Sequence, residues 1–208
     1  FFFLLFGEGL RVLMAVNAVI AGCIVALVYA LLNRAADRLT ATVGGLAFVC
    51  FIAFTQLGTM GNYNFLTPYS HEVSHGIALA LLSLWAFSLK RRHGEKALFA
   101  AGFALGLVFL TKVEIFLAAA GGLGLGVVLG LSARTNPPGT ALRQVAILAA
   151  STALPVLLAF VALLLVIPAG AAAHGLVDPF VFVFNQEVTS LEFYRWVRGT
   201  DQLAMNLD

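Results

Sequence analysis

His71-Glu72-Val73-Ser74-His75 matches the pattern H-E-x-x-H. On a helix, imidazoles four residues apart share one face and can ligate Zn²⁺, with the glutamate polarising a bound water. A hydrolytic zinc site also needs a third ligand. None follows in a recognisable setting, since Asp178 is an isolated carboxylate far along the chain. The pattern is therefore open between a metal set of His71, Glu72 and His75 and a His/Glu site of another kind. Lys112 is the second singular residue, the one Lys or Arg between Lys96 and Arg134. A lysine at a membrane boundary either snorkels to the headgroups or meets a lipid-borne phosphate at that depth. Glu114, two residues on, is placed to pair with it. Asn62, Tyr63, Asn64, Tyr69 and Ser70 crowd the approach to Glu72 in a chain otherwise poor in polar groups. Polar and ionisable groups at such a boundary are functional candidates, although tyrosines there also serve as interfacial anchors.

The elements that position these residues follow from composition. Of 208 residues, 61% are hydrophobic and 11% charged, and the mean hydropathy is +0.98. An ordinary soluble domain is about 45–50% apolar and about 25% charged, so a water-soluble globular domain is excluded. A net charge of +2 gives no footing for a nucleic-acid partner. Cys23 and Cys50 both lie in apolar runs and read as small hydrophobes rather than a disulfide or metal pair. The chain starts at Phe1 without a methionine and ends in a polar stretch, which reads as a piece of a longer membrane protein.

Charges punctuate the apolar runs. There are 22 uncharged residues between Arg11 and Arg34, and 33 between Arg38 and Glu72. A helix needs about 20 apolar residues to cross the hydrocarbon core. The expected fold is an all-α membrane bundle of about six transmembrane helices over residues 1–167. They are expected near 10–33, 41–60, 68–89, 97–110, 115–131 and 142–167. An extracytoplasmic or interfacial tail, 168–208, follows. Thr67 and Pro68 suit the start of the third helix. Residues 97–131 as one helix would be about 52 Å long, too long for a bilayer, so Thr111-Lys112-Val113-Glu114 is expected to split it. Pro155 should kink the last span. Gly102/Gly106 and Gly122/Gly126/Gly130 recur at four-residue spacing, which lets helix backbones approach closely. In the tail, residues 180–184 leave strand and interfacial segment open. The aromatic-rich stretch 189–198 reads as a helix lying in the interface.

Orientation is set by Lys and Arg alone. One set of connections holds Arg34, Arg38, Lys90, Arg91, Arg92, Lys96, Arg134 and Arg143; the alternate set holds Arg11, Lys112, Arg195 and Arg198. The richer set is expected in the cytoplasm, with Asp37 and Glu95 beside it. The other acids then lie outside, as do segments 58–75, 111–114 and 168–208, and an integral location in a bacterial inner membrane is expected.

The order of features resembles the GT-C integral-membrane glycosyltransferases of the family 39 type, which include protein O-mannosyltransferases and aminoarabinose transferases. The matching pieces are Phe6-Gly7 with Arg11-Val12-Leu13, and Pro68-Tyr69-Ser70-His71-Glu72 at the head of a helix. The most telling is Gly102-x-x-x-Gly106 running into Leu110-Thr111-Lys112. The resemblance covers about residues 5 to 135. It implies inverting transfer of a sugar from a polyprenyl-phosphate carrier to a lipid, glycan or protein acceptor. A carboxylate would deprotonate the acceptor and cations would stabilise the leaving phosphate. Lys112 then matches the donor-phosphate position and Glu72 the acidic position. Asn62, Tyr63, Asn64, Tyr69, His71, His75 and Glu114 would contact sugar or acceptor, with a divalent ion at the histidines an extension of that scheme. The family's catalytic acid lies in a first outer loop upstream of Phe1, with Glu8 a poor substitute, so this stretch alone is expected to be inactive. The other readings are a membrane-embedded zinc metalloprotease on His71, Glu72 and His75, and a transporter or non-catalytic scaffold. Convergence of Glu72 and Lys112 on one outer site, with room for a polyprenyl chain between helices, would separate the first from both.

Overall fold

In the computed structural model, residues 6–54, 64–66, 70–132, 138–185, 190–197 and 201–202 are described. These residues are helical throughout their regular structure, without a strand. Helix α1, Leu10–Ala35, is about 39 Å long at 1.5 Å per residue. It ends where the Ala36 N–H turns back to Leu32 O, and Asp37 caps the next helix by accepting from the Thr40 N–H at 2.8 Å. Helix α2, Arg38–Phe48, runs into a π-helical turn, Val49–Ala53. Helix α3, His71–Ser88, is followed by the short α4, Lys90–His93. The reversal into α5, Glu95–Phe109, passes through Gly94 at φ 57°, a left-handed conformation that glycine adopts without steric cost.

The split expected at Lys112 is present. Leu110 and Thr111 form a turn, and α6 begins at Val113 and runs to Ser132. Helix α7, Pro138–Leu164, contains Pro155. Helix α8, Ala169–Phe184, takes in residues 180–184, so the strand alternative does not describe that segment; Pro179 lies inside this helix. Helix α9, Glu192–Val197, occupies part of the aromatic-rich stretch. The chain divides into two compact units, Phe1–Leu157 and Leu158–Asp208.

In the first unit α3 is central, packed against α5, α1 and α6. The interior is built from small residues: Ala21, Ala41, Ala86, Ala101, Ala104 and Ala119 are buried, and the buried polar side chains are Asn17, Ser74, Ser83 and Ser151. Large apolar side chains, among them Val19, Leu46, Leu125, Val128, Leu129 and Leu157, face outward. A protein folding in water places its large hydrophobes inside. Small residues at helix contacts with large apolar ones outside is the arrangement of helices packed in lipid. Gly102 and Gly106 show why. A Cβ on Gly102 would lie 2.6 Å from Leu148 O, and one on Gly106 would lie 2.2 Å from Thr152 O and 2.5 Å from Pro155 Cγ. The backbones of α5 and α7 meet at this stripe, and Thr152 Oγ1 donates to Gly102 O at 3.1 Å. The second stripe is different. Gly126 yields only to the Phe87 ring, and Gly122 has ordinary room beside Leu84.

Among the described residues, three helices are long and apolar enough to cross a membrane: Leu10–Ala35, Val113–Gly130 and Gly139–Leu164. The other expected spans are shorter helices over their described residues. Helix α5, with 15 residues, is about 22 Å long against a hydrocarbon core of about 30 Å. The run from Arg38 to Ala53 has 16 residues, with residues 55–60 of the expected span outside the described ones, and α3 begins with the polar residues His71, Glu72, Ser74 and His75. Cys23 and Cys50 are free and exposed, in agreement with their reading as apolar-run residues rather than a bonded pair.

Candidate functional site

The polar sequence preceding the apolar part of α3 becomes its first turn and a half. Ser70 precedes the helix in extended backbone, without a side-chain capping bond. Among the described residues, the Oγ of Ser70 and the Nδ1 of His71 are buried and have no hydrogen-bond partner. His75 differs, because its Nδ1–H donates to His71 O at 2.7 Å. A carbonyl oxygen only accepts, so that bond places a proton on Nδ1.

Asn17 of α1 belongs to the same end of the bundle. It is 1% exposed in the middle of an apolar helix. Its Nδ2 donates to Leu66 O at 2.9 Å, while its Oδ1 is buried without a partner. Asn64 Oδ1 accepts from the Leu66 N–H at 3.0 Å, and the Phe65 N–H reaches Ala53 O at 2.9 Å. Asn64 therefore engages its own backbone two residues on, a turn-forming habit of asparagine. Asn62, Tyr63 and Tyr69 lie outside the described residues. Asn17 escaped sequence reading because a single amide in an apolar run does not reveal whether it is buried.

Lys112 is held at the same end by the break between α5 and α6. Thr111 Oγ1 donates to Val108 O at 2.7 Å, and the Phe116 N–H donates to Lys112 O at 3.0 Å. Helix α3 passes tightly against this turn: a Cβ on Gly76 would lie 2.9 Å from both Thr111 Oγ1 and Ile115 Cδ1. Glu72 stands one turn earlier, exposed and outside the apolar stretch of α3. Its own backbone N–H holds its carboxyl below the ordinary value, helped by the Ser70 hydroxyl and, against a small opposing effect of burial, by the charges of Lys112 and His71. The Ser70 oxygen is thus near enough to favour the carboxylate without meeting hydrogen-bond geometry. Among the described residues Lys112 forms no ion pair with Glu72 or Glu114. The expected Lys112–Glu114 pair is absent, since Glu114 enters the first turn of α6 and is exposed.

Beside this turn, an apolar groove of about 490 Å³ runs between α5, α6 and α7. Leu105, Phe109, Phe116, Leu123, Val145 and Leu148 are among its lining residues. Phe109 and Phe116 pack edge to face at 5.1 Å and flank Lys112 in sequence. From Phe116 to Val127 the groove follows α6 for about 16 Å.

Among the described residues no three His, Cys, Asp or Glu side chains come together to hold a metal ion, the set of His71, Glu72 and His75 included. Asp178 is engaged on its own helix with His174 Nδ1 at 3.1 Å, so it supplies no third ligand. What this end does offer is a carboxylate, an ammonium group without a carboxylate partner among the described residues, and three buried polar atoms awaiting one. No protein-family model matches the chain, and no curated protein or solved structure matches it either.

Proposed function

We propose that the protein takes part in transferring a sugar from a polyprenyl-phosphate carrier to a hydroxyl acceptor, at the end of the bundle that carries Glu72 and Lys112. One juxtaposition supports the reading: Glu72 and Lys112 lie within each other's electrostatic reach, and an apolar groove begins beside the Lys112 turn. In this scheme the prenyl chain lies along the groove, and Lys112 meets its phosphate and stabilises the charge that develops on the leaving group. Glu72, kept ionised by its surroundings, accepts the acceptor's proton as general base. Asn17 Oδ1, Ser70 Oγ and His71 Nδ1 offer hydrogen bonds to sugar hydroxyls. The inverting outcome follows from direct attack on the face opposite the phosphate. The basic connections Arg34–Arg38 and Lys90–Lys96 are then cytoplasmic, which in this scheme leaves the site on the extracytoplasmic side of a bacterial inner membrane, with α1, α2, α3, α5, α6 and α7 as the six embedded helices.

The test is sugar release from polyprenyl-phosphate-linked donors by the full-length protein in vesicles. Glu72→Gln and Lys112→Met should each reduce transfer by about 100-fold or more. Unchanged transfer in both variants removes the site assignment.

A further inference from the structure

The opposite end of the bundle carries a second polar recess, unrelated to Glu72 and Lys112. It has a volume of about 280 Å³ and lies between α4, the start of α5 and the start of α7. Lys90, Arg91, Glu95, Arg143 and Gln144 line it, with Leu98 and Ile147 supplying an apolar wall. Three cations face one carboxylate, and that carboxylate is already taken by Arg143 Nε. Lys90 is fixed by neutral partners only: its Nζ lies 4.3 Å from the centre of the Phe87 ring and 3.3 Å from Gln144 Oε1. Among the described residues neither Lys90 nor Arg91 has a carboxylate partner.

We infer that this recess binds the phosphodiester headgroup of an anionic phospholipid. Lys90 and Arg91 supply the charge, and Gln144 and the Glu95-held Arg143 shape the recess around the phosphate. Basic pockets between membrane helices take anionic headgroups because a phosphate there recovers Coulomb energy in a weakly screened setting. Burial, and then the neighbouring Arg91, push Lys90 below the ordinary lysine value, a penalty that a bound anion relieves. Two observations favour a lipid over free phosphate as the source. The wall of the recess is apolar at Leu98 and Ile147. One turn along α5 from Glu95, exposed Phe99 stacks with Phe103 at 6.3 Å, so an apolar stripe leads away from the recess where an acyl chain would run.

The experiment uses the full-length protein in nanodiscs of phosphatidylcholine, with or without phosphatidylglycerol. Native mass spectrometry reads the lipid retained, and thermal unfolding reads stability. The wild type should retain phosphatidylglycerol over phosphatidylcholine by roughly tenfold, in keeping with two cations near an anionic headgroup. The double variant Lys90→Gln/Arg91→Gln should bring that preference close to parity while melting like the wild type in phosphatidylcholine alone. The control Arg92→Gln/Lys96→Gln removes two exposed cations of the same region that do not line the recess, and should keep the preference. Equal loss in both variants would overturn the site in favour of diffuse surface attraction. Absence of any preference in the wild type would overturn it outright. Stabilisation by inorganic phosphate in pure phosphatidylcholine discs, at the level phosphatidylglycerol gives, would overturn the lipid as the source.

Discussion

Arg34 Nη2 reaches Ser88 O at 2.9 Å, Arg143 pairs with Glu95, and Lys90 donates to Gln144. At the opposite end Asn17 Oδ1, Ser70 Oγ and His71 Nδ1 are buried with no hydrogen-bond partner among the described residues. The two ends of one bundle thus treat polarity in opposite ways. At the basic end side chains tie α1 to α3, α4 to α7 and α5 to α7, so charge there fastens helices. At the Glu72–Lys112 end the fold tolerates buried polar atoms whose desolvation costs about 1–3 kcal/mol each when unmatched. A cost of that kind persists where an outside molecule completes the bonds. The difference separates two signals for a ligand: unmet hydrogen bonds near Glu72 and Lys112 at one end, and cations without a carboxylate partner among the described residues, Lys90 and Arg91, at the other.

The comparison presumes that one continuous bundle joins the two ends, and the α5–α7 contact is the place to break it. Gly106→Val would drive a side chain into the α7 backbone at Thr152 and Pro155. The expected loss is about 3 kcal/mol, at the upper end for overpacking, seen as a lowered unfolding midpoint in detergent or nanodiscs. Gly122→Ala is the matched control, with its nearest neighbour, Leu84 Cδ2, 3.6 Å from the new Cβ, and should melt close to the wild type. Similar melting of both variants would mean that α5 and α7 do not meet at Gly106.

A smaller effect separates fastening from waiting. Asn17→Leu removes the orphaned Oδ1 along with the donor to Leu66 O. Since the variant discards one unmet group and creates another, its stability should change by no more than about 1 kcal/mol, while sugar transfer or donor retention falls. A loss several times larger, with binding intact, would make Asn17 a fastener like Arg34 and erase the distinction between the ends.

Much of this arrangement could be read from the residues. Charges are expensive in hydrocarbon, so their positions marked helix limits, and a lysine with a glutamate two residues on placed the α5–α6 break correctly. Periodicity alone could not rank the two glycine stripes, because spacing shows that glycines share a face and not which neighbour meets it. Alternation of polarity could not assign residues 180–184, where α8 continues through Pro179 because residues after a helical proline can still bond backward along the chain. Charge spacing marks where apolar runs end and not how long each helix is: α1 has 26 residues and α5 has 15. In the site, Glu72 and Lys112 stood out by type. The burial of Asn17 and the Nδ1–H bond of His75 depend on packing between helices distant in sequence, or on a rotamer, and neither leaves a trace in residue order.

The smallest expected effect concerns Asp37, at the basic end. Its carboxylate accepts from the Thr40 N–H, and that bond, followed by the Thr40 hydroxyl, holds its pKa below the ordinary value. A carboxyl depressed in the folded state stabilises the fold above its unfolded pKa of about 3.9, and that contribution is lost as pH falls through the lower folded value. Asp37→Asn keeps a capping acceptor of similar quality but cannot titrate, and it gives up the favourable interaction of a negative charge with the N-terminus of α2. Near neutral pH the variant should therefore melt level with the wild type or slightly below it. On acidification into the carboxyl range the wild type should lose its advantage while the variant loses nothing from this position, so the difference between their midpoints shrinks or changes sign. A difference that stays constant through that range would mean the Asp37 carboxylate does not bond Thr40, and one of the fastenings at the basic end would be gone from the comparison.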